Sequence, residues 1–189
     1  MPSILVCYGT GEGQTGKVAD RIADELGADG HDATAVNVTE VDPDLDLDDF
    51  DAVLVGASIH ATRHQKAVRT FVVAHRDALV RKPTGFFQVS LSSADEGGEA
   101  EAVGYVDDFV EATDWHPDRI GLFGGALRFS QYGFLVRAMM NRIARRAYPE
   151  ADASGDVEFT DWESVEAFAD DFAAFVEERL SEATVGREP

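Results

Sequence analysis

The sequence predicts an α/β domain in which a parallel sheet is covered by helices on both faces. Two observations carry this expectation. Strand-length apolar runs alternate with amphipathic helical stretches, and the runs are apolar on both faces rather than at every second residue. A third observation bounds it: 189 residues suffice for one well-buried core and fall short of two ordinary domains. Residues 1–181 are therefore expected to form one domain, with 182–189 as a frayed tail.

Ile4 to Tyr8 reads as a buried strand that stops at glycines. Thr15 to Leu26 spaces Val18, Ile22 and Leu26 four apart, an amphipathic helix stopped by Gly27. Ala33 to Val38 is the second strand, and Asp42 to Asp51 a solvated acidic connection. Ala52 to Ala57 is the third strand, with Ser58 to His64 as the loop after it. Gln65 to Val80 forms the second helix, closed by Lys82-Pro83; Phe86 to Leu91 is the fourth strand, Ala100 to Ala112 the third helix, and Ile120 to Leu127 the fifth strand. The alternation then weakens. Ser130 to Ala147 reads as helical and Val157 to Phe159 as a short strand. The last helix opens at Thr160-Asp161-Trp162-Glu163, a capping-box spacing, and presents Val165, Phe168, Phe172 and Phe175 on one face.

Composition excludes several function classes. A formal net charge of −20 would repel phosphate over most of the surface, so a general nucleic-acid binder is excluded. A single cysteine, Cys7, rules out a disulfide framework and a cysteine-based zinc site; mid-strand, it reads as a small buried hydrophobe. No metal is expected. No apolar run approaches a membrane span, and Met1-Pro2-Ser3-Ile4 enters an apolar run with no basic segment before it, so a cytoplasmic location is expected.

In an open α/β sheet, cofactor chemistry belongs to the loops at the carboxyl ends of the strands. The first such loop, Gly9 to Lys17, fits three templates. As a nucleotide P-loop it has Val18 where a hydroxyl should hold magnesium. As a dinucleotide fingerprint it lacks the acid at the end of the second strand. The third template is a flavin-mononucleotide phosphate cradle, in which backbone N–H groups at a helix start and flanking hydroxyls hold the dianion without a basic side chain. Thr10 and Thr15 supply the hydroxyls, Gly11 and Gly13 let the backbone turn inward, and Lys17 lies on the helix away from the phosphate. A glycine-rich turn that binds nothing is the fourth possibility.

Taken in order, YGTGEGQT, GASIHATRH, FFQVSLSSAD, GALRFSQY and FTDWESVEAF closely resemble the flavodoxin-fold, menaquinone-dependent protoporphyrinogen oxidases over nearly the whole chain. The first motif is common to all flavodoxins; the later ones are more specific to this branch. The resemblance implies a flavodoxin-like five-stranded parallel sheet of order 2-1-3-4-5 and a non-covalent FMN. Carried over, Thr10, Gly11, Glu12, Gly13, Gln14 and Thr15 would hold the phosphate. Ser58, Ile59 and His60 would line one side of the ring, and Ser90, Leu91, Ser92, Ser93 and Ala94 the other. Two departures stand out. The ring-flanking aromatics of electron-carrier flavodoxins are missing, which leaves His60 as the nearest ring-shaped side chain and suits a bulky substrate. The fourth-strand loop, Asp95 to Glu99, is short and acidic where the family's is longer and basic. His64 is placed to reach the cofactor rim, while His31, His75 and His116 read as surface residues.

The implied activity is oxidation of protoporphyrinogen IX to protoporphyrin IX with menaquinone or another quinone as acceptor. The flavin carries that chemistry, and no side chain is assigned a catalytic role. Between Ile120 and Pro149 the chain has five arginines and no acid. This basic amphipathic stretch suits an anionic lipid surface or substrate carboxylates. Arg128, Tyr132, Arg137, Arg142, Arg145 and Arg146 are therefore the candidate substrate or membrane contacts, the latter implying peripheral attachment to the cytoplasmic face. Two alternatives stand beside it: a one-electron carrier without its own substrate, and an NAD(P)H quinone reductase, for which no nicotinamide motif is present.

Thirty-six acids stand beside thirteen arginines and only three lysines, the balance of a protein from a halophilic host. Concentrated salt shortens the Debye length to about 3 Å and relieves self-repulsion. The thermal midpoint is accordingly expected to rise from dilute buffer to molar potassium chloride. A midpoint that is flat or falls over that range contradicts it.

Overall fold

A computed structural model describes residues 1–60, 63–94, 97–127 and 156–185, with His60, Leu127 and Val185 described by backbone alone. In chain order these form β1 (Ser3–Tyr8), α1 (Gln14–Ala28), β2 (Asp32–Asn37), β3 (Ala52–His60), β4 (Arg63–His64) and α2 (Lys66–Leu79). There follow β5 (Thr84–Ser90), α3 (Glu99–Thr113), β6 (Arg119–Gly124), β7 (Ala126–Leu127), β8 (Val157–Glu158) and α4 (Trp162–Val185). Five strands run parallel in the order β2-β1-β3-β5-β6, the predicted doubly wound topology.

Apolar residues on both faces of each central strand explain the two layers. Ile4, Val6, Leu54, Phe87 and Val89 face one side, where α1 contributes Val18, Ile22 and Leu26, and α4 contributes Val165, Phe172 and Val176. Leu5, Cys7, Val53, Val55 and Phe86 face the other, under Val68 and Val72 of α2 and Val106 and Phe109 of α3. Cys7 is fully enclosed, and burial pushes its thiol up to about 12, which keeps it protonated and inert. Among the described residues no helix is long and apolar enough to cross a membrane.

The structure departs from the sequence-based expectation at several points. The acidic connection is not merely solvated: Leu47 is buried in a short 3₁₀ turn (Leu47–Asp49), and the Lys82 ammonium donates to the carbonyls of Leu47 and Phe50. The expected loop at 58–64 is partly strand. β3 runs through Ile59 to His60 and turns back as β4, with Ile59 opposite His64 and His60 opposite Arg63.

The fifth strand is broken. The parallel pairing ends at Gly124, opposite Ser90, where a β-carbon would collide with the carbonyl oxygen of Phe159. Ala126 and Leu127 pair instead, antiparallel, with Glu158 and Val157. At the start of α4 the cap is Asp161, whose carboxylate accepts from the amides of Glu163 and Ser164 (3.1 and 3.5 Å), and not Thr160. The helix then continues to Val185, beyond the expected start of the tail.

Two histidines differ from their expected surroundings. His31 is buried, not at the surface, with Nε2 3.7 Å from the Glu177 carboxylate of α4. His64 is buried rather than placed at a cofactor rim: it meets the stacked rings of Phe86 and Phe109 edge-on, with centroids at 5.5 and 4.8 Å, and its Nε2 lies 2.9 Å from Oε1 of Gln88. The expected helix at 130–147 lies outside the described residues.

Burial pushes the His64 pKa down to about 4; the Gln88 hydrogen bond opposes this and the Arg69 charge adds to it. Between about 6.5 and 4 the unfolded chain therefore binds a proton that the folded chain refuses, and stability falls on acidification through that window. The His64 contribution approaches about 1.4 kcal/mol per pH unit. Denaturant midpoints measured across this range should fall with pH, and His64→Gln should make the fall shallower. An equal fall in the variant refutes the assignment.

Candidate functional site

The site begins with how β1 ends. Tyr8 pairs with Asn37 on one side and Gly56 on the other, so the chain leaves β1 between strands that wind away in opposite directions. That divergence opens a crevice at the carboxyl edge of the sheet. The Gly9 amide donates to the Gly56 carbonyl (3.0 Å), which anchors the loop to β3. Thr10 Oγ1 accepts from the Gly13 amide (2.9 Å), which leaves the hydroxyl proton free to be donated. Gly13 adopts φ +90°, a left-handed conformation that a side chain would strain, and α1 starts directly after it.

The start of α1 is open. Among the described residues no side chain caps it, and no acidic residue lies in its first turn, so its positive end faces outward. Thr15 is 1% exposed, and its Oγ1 is buried with no partner. A buried hydroxyl left unpaired costs about 1–3 kcal/mol, so a fold that retains one is arranged for an acceptor brought from outside. Beside the loop, the Gln65 side-chain amide stands where a β-carbon on Gly9 would lie, and its Oε1 is also buried without a partner. Outward amides and two hydroxyls, with no cation among them, fit the doubly charged tail of a flavin mononucleotide, while the Gln65 oxygen, an acceptor, packs against Gly9 and has no part in holding it.

The other predicted phosphate contacts sort by what their side chains do. Gln14 Nε2 donates to Thr160 Oγ1 (2.8 Å), so this residue can offer only its backbone amide to the loop. Glu12, a carboxylate that cannot donate to an anion, is limited to the same role. Lys17 is engaged elsewhere: its Nζ pairs with Glu158 at 3.4 Å. Burial pushes the Glu158 carboxyl up, but the Trp162 indole N–H and the Lys17 charge outweigh it and hold the group below the usual carboxylate range.

The two ring-side segments leave the same edge of the sheet. Ser58, opposite Val89 in the ladder, and Ile59 are half-buried at the end of β3, and the side chain of His60 lies outside the described residues. After β5, a 3₁₀ turn at Ser92–Ala94 holds the chain close. Ser90 Oγ lies 2.7 Å from Ser93 Oγ and accepts from the Ser93 amide (3.1 Å), and Ser92 Oγ donates to Glu101 (2.6 Å). These three hydroxyls build the loop rather than project from it, which leaves its backbone, Leu91 and Ala94 to line a ring. Arg128, Tyr132, Arg137, Arg142, Arg145 and Arg146 lie outside the described residues.

Thr160, which the sequence presents as a cap, joins the halves of the site. It accepts from Gln14 and donates to the Gly124 carbonyl (2.7 Å), while the Gly125 amide donates to the Ser90 carbonyl (3.0 Å). The start of α1 and the β5 loop are thereby linked across the end of β6. The TDWE motif carried the signal, since its threonine was free to bond elsewhere once aspartate took the cap.

A family profile described as Flavodoxin domain matches residues 5–154. Protoporphyrinogen IX dehydrogenase (quinone) of Escherichia coli K12 is 32% identical over 170 residues, which cover 89% of this chain and 93% of that protein. The protein of the same name from Leishmania major is 33% identical over 178 residues, 92% of this chain and 75% of that one. Among solved structures, a flavodoxin from the domain Archaea has a TM-score of 0.54 at 16% identity, with 93% of this chain and 99% of that one covered. The flavodoxin of Streptococcus pneumonia TIGR4 gives 0.54 at 17% identity, covering 91% and 98%. At these identities the solved structures show the fold alone.

If the Thr15 hydroxyl is held for a phosphate, Thr15→Val should weaken riboflavin 5′-phosphate binding about tenfold or more while leaving the flavin-free protein as stable or more so. Flavin fluorescence quenching and thermal melts measure the two effects. Unchanged affinity refutes the role.

Proposed function

The chain belongs to the flavodoxin domain family, and from that premise we propose an FMN-dependent oxidoreductase that oxidises protoporphyrinogen IX to protoporphyrin IX with a quinone as acceptor. The observation that carries the cofactor is the uncapped start of α1 over the buried, unpartnered hydroxyl of Thr15. The two relatives named protoporphyrinogen IX dehydrogenase, aligned over about nine-tenths of the chain, support the reaction.

When bound, FMN supplies the two-electron redox chemistry, used three times for the six-electron oxidation, with three quinones reduced to quinols. The residues of this chain have other tasks. Gln14 and Thr15 would offer backbone amides to the phosphate, and Thr10, its oxygen already accepting from the Gly13 amide, would add its hydroxyl proton beside that of Thr15. Ser58 and Ile59 on one side and Leu91 and Ala94 on the other bracket the ring, and no described aromatic side chain among them covers it. A ring left open on one face suits a tetrapyrrole too large to enter a closed pocket.

Menaquinone as the acceptor, and attachment to a membrane through Arg137, Arg142, Arg145 and Arg146, form the finer part of the proposal. Their support is the sequence: a quinone of that kind resides in the bilayer, and these arginines gather where the chain carries no acid. The test is photometric. Purified protein loaded with FMN should convert protoporphyrinogen IX into fluorescent porphyrin faster when menadione is added. Loss of quinone-dependent turnover in a protein that still binds FMN points to an electron carrier and overturns the proposal.

A further inference from the structure

The described residues include ten lysines and arginines, six of which are ion-paired to carboxylates. In a chain with 36 acids, cations left unpaired side by side call for an explanation. Of the four described cations without such a pair, three fall within seven residues: Arg63 on β4, and Lys66 and Arg69 in the first turn of α2. They stand at the carboxyl edge of the sheet, on the segment that returns from the ring-side end of β3.

Arg63 and Arg69 line a crevice of about 100 Å³ together with His64, Tyr105, Asp108 and Phe109. Arg69 Nε is buried there with no hydrogen-bond partner. The rest of the lining does not answer it. His64 is uncharged above its low pKa and already bonded to Gln88. The Tyr105 hydroxyl donates to Glu101 (2.8 Å), whose other oxygen accepts from Ser92. Asp108 faces the crevice but forms no ion pair with either arginine, so two guanidinium groups outnumber one carboxylate. A water takes roughly 10–15 Å³ of such space, so the crevice has room for a carboxylate together with several waters.

We propose that Arg63 and Arg69 bind a propionate carboxylate of the tetrapyrrole substrate in this crevice. The assignment rests on the function proposed above. Planar guanidinium donors match a carboxylate better than ammonium groups do, and a propionate hangs from its macrocycle on a flexible arm. A ring held against the ends of β3 and β5 could reach the crevice by such an arm while its saturated carbons stay at the sheet edge. An anchor for the substrate beside β3 also answers the short acidic fourth-strand loop, which offers none.

The test compares protoporphyrin IX with its dimethyl ester, which has the same ring and no charge. FMN-loaded protein should bind the free acid about tenfold more tightly in a porphyrin fluorescence titration. The double variant Arg63→Gln/Arg69→Gln should lose that discrimination and raise KM for protoporphyrinogen about tenfold, with the loss on KM rather than kcat and FMN affinity retained. Arg63→Lys/Arg69→Lys should recover part of it. Equal affinity of the parent protein for acid and ester, with turnover intact, overturns the crevice alone, and needs no variant to fold. Absence of both turnover and porphyrin binding overturns the function proposed above together with it.

Discussion

The first turn of α1 governs the rest of the site. A helix that starts at a left-handed glycine, without an acid in its first turn or a capping side chain among the described residues, turns its positive end toward the crevice. Each neighbouring residue is consistent with keeping that end open. Gln14 is turned aside to Thr160, Lys17 is held by Glu158, and the Thr15 hydroxyl stays buried beneath the turn. An anion held by dipoles and hydroxyls alone needs no cation that would compete with it for the surrounding acids. In a chain of net charge −20, a lysine at the loop would have been drawn to a carboxylate, as Lys17 is.

Charge elsewhere follows the same logic of local pairing. Arg21 meets Glu166 and Arg119 meets Asp171, so that α1 and β6 are both tied to α4 over the apolar contacts of Phe172 and Val176. Exposed pairs of this kind contribute little, about 0–1 kcal/mol each, and the layer is held by its buried side chains. What the pairs do is consume positive charge, which leaves the cations beside β4 conspicuous.

Much of the fold could be read from residue order. Ile4 to Tyr8 and Ala52 to Ala57 are apolar at every position, and only a strand covered on both faces uses such a run. The spacing of Val18, Ile22 and Leu26 named the buried face of α1. The phosphate loop was legible because its glycines and threonines act locally, through their own backbone. The rest depended on partners distant in sequence. Nothing near His64 shows that Gln88 and two phenylalanine rings would enclose it, and nothing near His31 shows α4 passing over it. Thr160 and Asp161 both suit a helix cap; the Gly124 carbonyl, 36 positions away, decided which one served. The hydroxyls of Ser90 and Ser93 looked available until the 3₁₀ turn brought them together.

The two short strands β7 and β8 sit between the halves of the site. Ala126 pairs with Glu158 and Leu127 with Val157, and the residues that flank this ladder, Gly125 and Thr160, hold the β5 loop and the start of α1. A side chain exchanged in either strand would therefore disturb both walls of the crevice at once.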